Sequence, residues 1–137
     1  MSQVTIRKIV EGSAHVVISV QLVSNGVDGE LSNYVIFSPS DCNPPLVAKP
    51  AFRIMQLWYG AAWFDMVLSF GGLVPRPAWT IARDGDSHLD FRNFGGLIDY
   101  NEVPPPDYNG DLLLSTSGFA PIGSEGSLVI ELRKLGQ

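Results

Sequence analysis

The chain has 137 residues, 45% of them hydrophobic and 17% charged, and its 14 acidic and 9 basic side chains give a formal charge of −5. This acidic balance excludes sequence-independent binding to DNA or RNA, which requires clustered lysines and arginines. No apolar stretch reaches the roughly 20 residues of a membrane helix, and the single cysteine, Cys42, excludes an intrachain disulfide.

Size and surface composition narrow the class of protein further. A chain of this length is typical of one domain, so we expect a single domain over residues 1–137. The first residues lack the charged and apolar regions of a signal peptide, which predicts synthesis in a cytoplasm. The charged fraction lies below the roughly 25% of ordinary globular domains. A sparsely charged surface predicts that other protein subunits cover part of the exterior.

The first third of the chain alternates apolar and polar side chains with a period of two, which is typical of strands with one buried face. This alternation predicts strands over residues 4–10, 14–23 and 31–37. Asn-Gly and Asp-Gly pairs at residues 25–26 and 28–29 are strong turn signals, so we expect the last two strands to pair antiparallel. In the third strand, one predicted face carries Leu31, Asn33, Val35 and Phe37, and the other carries Ser32, Tyr34 and Ile36.

The rest of the chain has the pattern of further short strands separated by turns. Strands are predicted over residues 52–58, 63–70, 78–83, 88–91, 111–117 and 127–134. Four prolines make residues 38–50 a loop, and three consecutive prolines make residues 95–110 an exposed arm or long loop. Residues 118–126 are expected to join the last two strands as a hairpin.

Eight or nine short strands with intervening turns predict an all-β protein. We expect an antiparallel β-sandwich, of jelly-roll or immunoglobulin-like type, with long Pro-rich loops. Its predicted core faces carry Val16, Ile18, Val20 and Leu22, then Phe64, Met66, Leu68 and Phe70, then Leu128, Ile130 and Leu132. Apolar side chains that have no place in this core predict contact with neighbouring subunits; they are Val17, Tyr34, Trp63 and Val129.

One polar cluster is a weak candidate for a metal site. Its potential ligands are Asp84, Asp86, His88 and Asp90, which could take a hard cation from a bent loop. Counted from Asp84, an EF-hand would need glycine at the sixth position and glutamate at the twelfth, where the chain has Leu89 and Gly95. The alternative is a polar turn whose aspartates bond nearby backbone N–H groups. We predict no cofactor.

The usual constellations for catalysis are incomplete, and we predict that the chain is not an enzyme. Cys42 has no histidine near it in sequence, and a thiol without an activating neighbour stays protonated at neutral pH. His15 and His88 lack a motif that would supply a nucleophile. A carboxylate pair for glycoside hydrolysis remains an alternative, since only spatial separation decides it. Its candidates are Asp65, Asp90 and Asp99.

Aromatic side chains gather in the centre of the sequence, and two interpretations remain open. Trp58, Tyr59, Trp63 and Trp79 could form a platform on which a sugar ring stacks, which would make the chain a carbohydrate-binding β-sandwich module. The other interpretation is that they fill the sandwich core or a contact between subunits, as buried aromatics commonly do.

Seven segments form a recognisable set across residues 4–134. They are Trp58-Tyr59, Phe64-Asp65, Pro77-Ala78-Trp79, Asp90-Phe91, and the stretches 94–97, 110–118 and 126–134. Together they resemble a group of small proteins encoded among the virion genes of tailed bacteriophages. The resemblance carries no catalytic residue.

The resemblance implies a virion structural protein, either a capsid decoration (cement) protein or a minor component of the head or tail. Expected partners are major capsid or tail proteins and further copies of the chain, without direct nucleic-acid or membrane contact; display of a glycan-binding module on a virion is the alternative. The Pro-rich segments could serve as arms, since preset geometry lowers the entropy lost on docking. Predicted contact residues are Trp58, Tyr59, Trp63, Trp79, Pro104, Pro105, Pro106 and Tyr108.

Overall fold

A computed structural model describes residues 3–42, 45–46, 51–61, 64–72, 75–83, 85–98, 110–119 and 121–135 of the chain. Within these ranges there are nine strands and two short 3-10 turns, Pro39–Asp41 and Arg92–Phe94. The described residues include no helix long and apolar enough to cross a membrane. The strands are β1 (Val4–Glu11), β2 (His15–Val23), β3 (Tyr34–Phe37), β4 (Phe52–Ala61), β5 (Asp65–Phe70), β6 (Arg76–Ile81), β7 (Gly85–Asp90), β8 (Leu112–Ser117) and β9 (Glu125–Lys134).

The strands form two antiparallel sheets, and the prediction of an all-β sandwich is confirmed. A five-stranded sheet has the order β1-β2-β9-β4-β7, and a four-stranded sheet has the order β3-β8-β5-β6. Without β1, each sheet has four strands and the chain passes repeatedly between them, in the strand order of a jelly roll. The seven-stranded immunoglobulin arrangement, which was the other predicted topology, has a different order.

The core lies between the two sheets and is built from alternate side chains of each strand. Val16, Val20 and Leu22 of β2 and Leu128 and Ile130 of β9 are completely buried, as the period-two pattern predicts. Met66 and Leu68 of β5 are equally buried on the facing sheet. Because burial of one large aliphatic side chain contributes about 1.5–3 kcal/mol, this shared layer supplies the main stabilisation of the fold.

The predicted pairing of the second and third strands is wrong. β2 lies between β1 and β9, whereas β3 pairs with β8 in the other sheet, with Tyr34 opposite Leu114. The intervening turn does form: the side-chain oxygen of Asn25 accepts the N–H groups of Val27 and Asp28. A turn signal predicts that the chain reverses direction, but it does not tell which strand becomes the neighbour.

The predicted faces of the third strand are also wrong. The register between β3 and β8 shifts between Val35 and Phe37, so that one residue is added to the strand at this point. Ile36 and Phe37 are therefore both buried, and Tyr34 and Val35 are both exposed. A bulge of this kind breaks the simple alternation on which the prediction depended.

Residues 118–126 do not form the predicted hairpin, because β8 and β9 lie in different sheets. The segment crosses one end of the sandwich, where Phe119 is completely buried and its ring lies 5.0 Å from that of Phe64. The backbone N–H of Ser24 donates to the carbonyl oxygen of Ser124 at 2.9 Å. Burial of the Phe119 ring therefore holds this segment across the end of the core.

The bounds of several strands differ from those predicted. β3 begins at Tyr34 instead of Leu31, β4 extends to Ala61, and β7 covers Gly85–Asp90 instead of residues 88–91. β6 begins at Arg76 instead of residue 78 and therefore includes Pro77. β6 is an edge strand, where a proline is tolerated because its missing N–H can face away from the ladder.

A buried ion pair holds one end of the sandwich. The Lys134 side chain is only 2% exposed, and its Nζ donates to Glu11 Oε2 and to the carbonyl oxygen of Gly12, both at 2.9 Å. Glu11 Oε1 also accepts from Lys8 Nζ at 2.7 Å, and Lys8 Nζ donates to the carbonyl oxygen of Asp41. These contacts join β1 to β9 and to the segment that follows β3.

Two glycines on neighbouring strands give a matched test of this packing. A Cβ on Gly126 would lie 2.5 Å from Phe64 Cζ, whereas a Cβ on Gly60 would have its nearest neighbours at 3.8 Å. We expect Gly126→Ala to lower the free energy of unfolding by about 1–3 kcal/mol through overpacking. Gly60→Ala should leave it unchanged or raise it by about 0.5–1 kcal/mol, because glycine weakens a strand interior. Denaturant unfolding measures both, and equal effects would contradict the assigned faces.

Candidate functional site

A shallow depression lies on the outer face of the five-stranded sheet, away from the core. Its volume is about 530 Å³, and we call it the Trp58 depression. Gly60 stands between Asp86 of β7 and Ser127 of β9, the residues that pair with it across the sheet. The depression is lined by Trp58, Tyr59, Gly60, Asp86, Ser87, His88, Ser127 and Val129.

Two stacked rings form one wall of the Trp58 depression. Trp58 and His88 are directly paired across β4 and β7, and their ring centroids lie 4.7 Å apart with an angle of 4° between the planes. This separation equals the usual distance between neighbouring strands, so the two rings stack face to face as a cross-strand pair. The indole remains 37% exposed and presents apolar surface to solvent.

A chain of side-chain hydrogen bonds selects the tautomer of the neutral His88 imidazole. Gln56 Nε2 donates to Glu131 Oε1 at 2.8 Å, and Gln56 Oε1 lies 2.7 Å from His88 Nε2. An ionised carboxylate only accepts, so the amide nitrogen must face Glu131 and the amide oxygen must accept from His88 Nε2–H. In neutral His88, the hydrogen-bond chain therefore assigns the proton to Nε2 and leaves Nδ1 as an acceptor.

Gln56 was not among the predicted site residues, because a second bulge changes the face on which it lies. Phe52 and Ile54 face the core, so strict alternation would point Gln56 inward as well. The register between β4 and β9 shifts between Ile54 and Gln56, which moves Gln56 to the outer face and leaves Leu57 buried. The outward position of Gln56 could have been predicted only from its pairing with Glu131 on β9, and that pairing is not visible in the sequence.

The predicted aromatic platform is divided between two places. Trp58 lies on the outer face of the five-stranded sheet, whereas Trp79 of β6 pairs with Leu68 and its ring lies 5.1 Å from that of Phe91. Tyr59 is half-buried and packs against the core. The other predicted contact residues lie outside the described residues; they are Trp63, Pro104, Pro105, Pro106 and Tyr108.

The acidic candidates for catalysis are paired with arginines. Asp65 accepts from the guanidinium and then from the backbone N–H of Arg83, and these hydrogen bonds lower the pKa of its carboxyl. Hydrogen bonds from the guanidinium of Arg92, and then from its backbone N–H, lower the pKa of Asp90 to about 2. A general acid needs a raised pKa, so neither carboxyl is suited to donate a proton near neutral pH. Asp99 lies outside the described residues.

The metal-site candidates fall on β7 where the structure describes them. Asp86, His88 and Asp90 occupy alternate positions of this strand, and Asp84 lies outside the described residues. Among the described side chains, no three of the types His, Cys, Asp and Glu come together as metal ligands. His88 bonds Gln56 and Asp90 bonds Arg92, so both already have partners within the protein.

Cys42 does not have the surroundings of a reactive thiol. The residue is 3% exposed, and burial raises the pKa of its thiol more than nearby Lys134 and Lys8 lower it. Because the thiolate is the nucleophile, a raised pKa keeps the side chain unreactive at neutral pH.

A second surface of interest lies along one lateral side of the sandwich, where β1 and β3 are edge strands of their sheets. Gln3 Nε2 donates to the carbonyl oxygen of Gly29, and Lys8 Nζ donates to that of Asp41, so both ends of β1 contact segments that flank β3. Five large apolar side chains on these two strands are each 39–51% exposed. We call this surface the β1–β3 edge; its residues are Ile6, Ile9, Val10, Tyr34 and Val35.

Three of the apolar side chains predicted to lie outside the core are described. Tyr34 is exposed on the β1–β3 edge, whereas Val17 and Val129 are half-buried on the outer face of the five-stranded sheet. Trp63 lies outside the described residues.

No family model and no curated protein matches the chain. Among solved structures, it is similar to the crystal structure of an RmlC-like cupin family protein with a double-stranded β-helix fold from Methanocaldococcus jannaschii. The two are 7% identical, with 97% of this chain and 82% of that chain covered, at a TM-score of 0.33. A likeness at this TM-score is too weak to bear on the fold or the function.

The Asp90–Arg92 pair gives a prediction about pH. The folded-state pKa of Asp90 is about 2, below the ordinary value of 3.8, so the unfolded chain takes up the proton first as the pH falls. The stabilisation from this pair is therefore present above about pH 4 and lost as the pH falls toward 2. We expect Arg92→Gln to raise the pKa of Asp90 toward 3.8 in a carboxyl ¹³C NMR titration.

Arg83→Gln is the matched control for this titration. It should raise the pKa of Asp65, which pairs with Arg83, and leave that of Asp90 unchanged. An Asp90 midpoint at the ordinary value in the unaltered protein would contradict the pairing.

Proposed function

We propose that this chain is a structural protein of a bacteriophage particle and that it acts by protein–protein contact through the β1–β3 edge. The observation that carries the proposal is that two edge strands expose five large apolar side chains. Single exposed apolar residues are ordinary on protein surfaces. Several of them on two edge strands, in a protein with only 17% charged residues, are typical of a surface that another protein covers.

The strand geometry of this edge supports a contact role. Within the described part of the chain, β1 and β3 each have a neighbouring strand on one side only. An edge strand can accept a further strand from another chain, and its backbone groups then supply affinity while its side chains supply specificity. Such an edge suits a subunit that joins a lattice of capsid or tail proteins or pairs with another copy of itself.

The fold class alone does not distinguish this role from others. Jelly rolls serve as viral capsid domains, as lectin domains and as cupins, so function has to be argued from surfaces and side chains. The paired state of Asp65 and Asp90 and the burial of Cys42 favour a non-catalytic role. The resemblance to small virion proteins makes the phage particle the proposed location.

Mass spectrometry of purified phage particles tests the location. We expect the chain to be present, at hundreds of copies per particle for a decoration protein and at a few or dozens for a connector or tail component. Absence of the chain from particles that assemble in its presence would overturn the proposal.

A charged double variant, Ile9→Lys with Val35→Lys, tests the surface. Both side chains are 46% exposed, so the fold should tolerate the change, while lysine on a covered apolar contact should reduce incorporation into particles at least about tenfold. Ile122→Lys is the matched control, because Ile122 is 79% exposed and lies between β8 and β9, outside the edge. Equal incorporation of both variants would show that the β1–β3 edge is not the contact.

A further inference from the structure

We infer that the Trp58 depression is a binding site for a neutral saccharide of one or two pyranose rings. The site is independent of the proposed contact surface, because β2 and β9 separate β4 and β7 from β1 in the sheet. Its volume of about 530 Å³ lies within the range of small-ligand sites, roughly 300–1,000 Å³. A subunit contact at the β1–β3 edge would leave this face open to solvent.

The floor of the depression is open because one residue has no side chain. Gly60 lies in the interior of β4, where glycine costs about 0.5–1 kcal/mol relative to alanine. Packing does not require it, since a Cβ at this position would meet Asp86 Cβ and Ser127 Oγ only at an ordinary contact distance of 3.8 Å. The missing side chain therefore leaves room for a ligand on the sheet between Asp86 and Ser127.

The polar side chains that line the Trp58 depression are suited to a ligand rich in hydroxyl groups. His88 is held by Gln56 so that its remaining ring nitrogen, Nδ1, is an acceptor, and Nδ1 makes no hydrogen bond to any described residue. The carboxylate of Asp86 is a second acceptor, and Ser127 adds a hydroxyl that both donates and accepts. A sugar supplies several O–H donors to such acceptors, and its apolar C–H face can pack on the exposed indole of Trp58.

Charge narrows the ligand class. Asp86 lies in the wall, and the protein carries a formal charge of −5, so an anionic sugar or a phosphate would be repelled. A neutral pyranose can donate hydrogen bonds to the same acceptors without this electrostatic repulsion.

The hydrogen-bond chain behind His88 supports a positioning role for Gln56. Gln56 is only 8% exposed, and a buried amide is costly unless both of its ends are bonded. Glu131 and His88 satisfy its two ends, so the imidazole is held both by this bond and by its stack on Trp58. Preorganisation of this kind lowers the entropy lost when a ligand binds.

Saturation-transfer NMR tests the site with the methyl pyranosides of glucose, galactose, mannose and N-acetylglucosamine as probes. We expect the unaltered protein to bind at least one, and Gly60→Val to reduce its affinity at least about tenfold while thermal stability stays equal or rises. Thr5→Val, on the outer face of β1, is the matched control and should bind as the unaltered protein does. Binding of none of the four sugars, or undiminished binding by Gly60→Val, would overturn the inference.

Choline is a probe for the competing ligand class, a cation attracted to Trp58 and Asp86. Binding of choline without binding of any sugar would overturn the saccharide assignment. None of these variants replaces one of the five side chains of the β1–β3 edge, so absence of sugar binding would leave the proposed structural role intact. Absence of the chain from phage particles would likewise leave the sugar site intact.

The imidazole tautomer tests the role of Gln56 separately. Ring ¹⁵N shifts of His88 in the neutral state should report a proton on Nε2 in the unaltered protein. In Gln56→Met, a mixture of both tautomers should appear, together with sugar affinity at least about tenfold weaker. A proton on Nδ1 in the unaltered protein, or a variant with mixed tautomers and unchanged affinity, would refute the positioning role.

Discussion

The inward side chains of the two sheets must fill the same layer, and the remainder of the structure depends on this shared core. β9 lies at the centre of the five-stranded sheet and β8 and β5 at the centre of the other, so their buried residues contribute to one interior. Packing near one end is close enough that Gly126 has no room for a Cβ beside Phe64. The ring of Phe119 completes that end and brings the last crossing segment over the core.

The packing of the core also determines which residues face outward. Because alternate residues of β4, β7 and β9 point into the core, the intervening residues form a continuous outer face, on which Trp58, His88 and Val129 are paired across the strands. The bulge before Gln56 adds a polar residue to this face at the point where Glu131 and His88 can bond it. The Trp58 depression is therefore a consequence of strand register rather than of any loop.

The two surfaces differ in chemistry because they differ in their place within the sheets. The β1–β3 edge belongs to strands with one neighbour, which leaves apolar side chains such as Ile9 and Val35 partly uncovered. The Trp58 depression belongs to the interior of a sheet, where paired positions hold rings and polar groups in fixed geometry. An edge is suited to another polypeptide, whereas a rigid cross-strand arrangement is suited to a small ligand.

The sequence by itself determined the all-β class, most strand positions and the buried faces of β2, β5 and β9, because alternation is a local property of the chain. Only the tertiary structure decided the partners of β3 and of residues 118–126, since pairing joins residues distant in sequence. Single-residue bulges reversed faces at Phe37 and Gln56 without a signal in residue type. For the same reason, Trp58 and Trp79 lie on different sheets although the sequence offered both for one aromatic platform. The site also includes Gly60 and Gln56, which come close to His88 only through the pairing of β4 with β7.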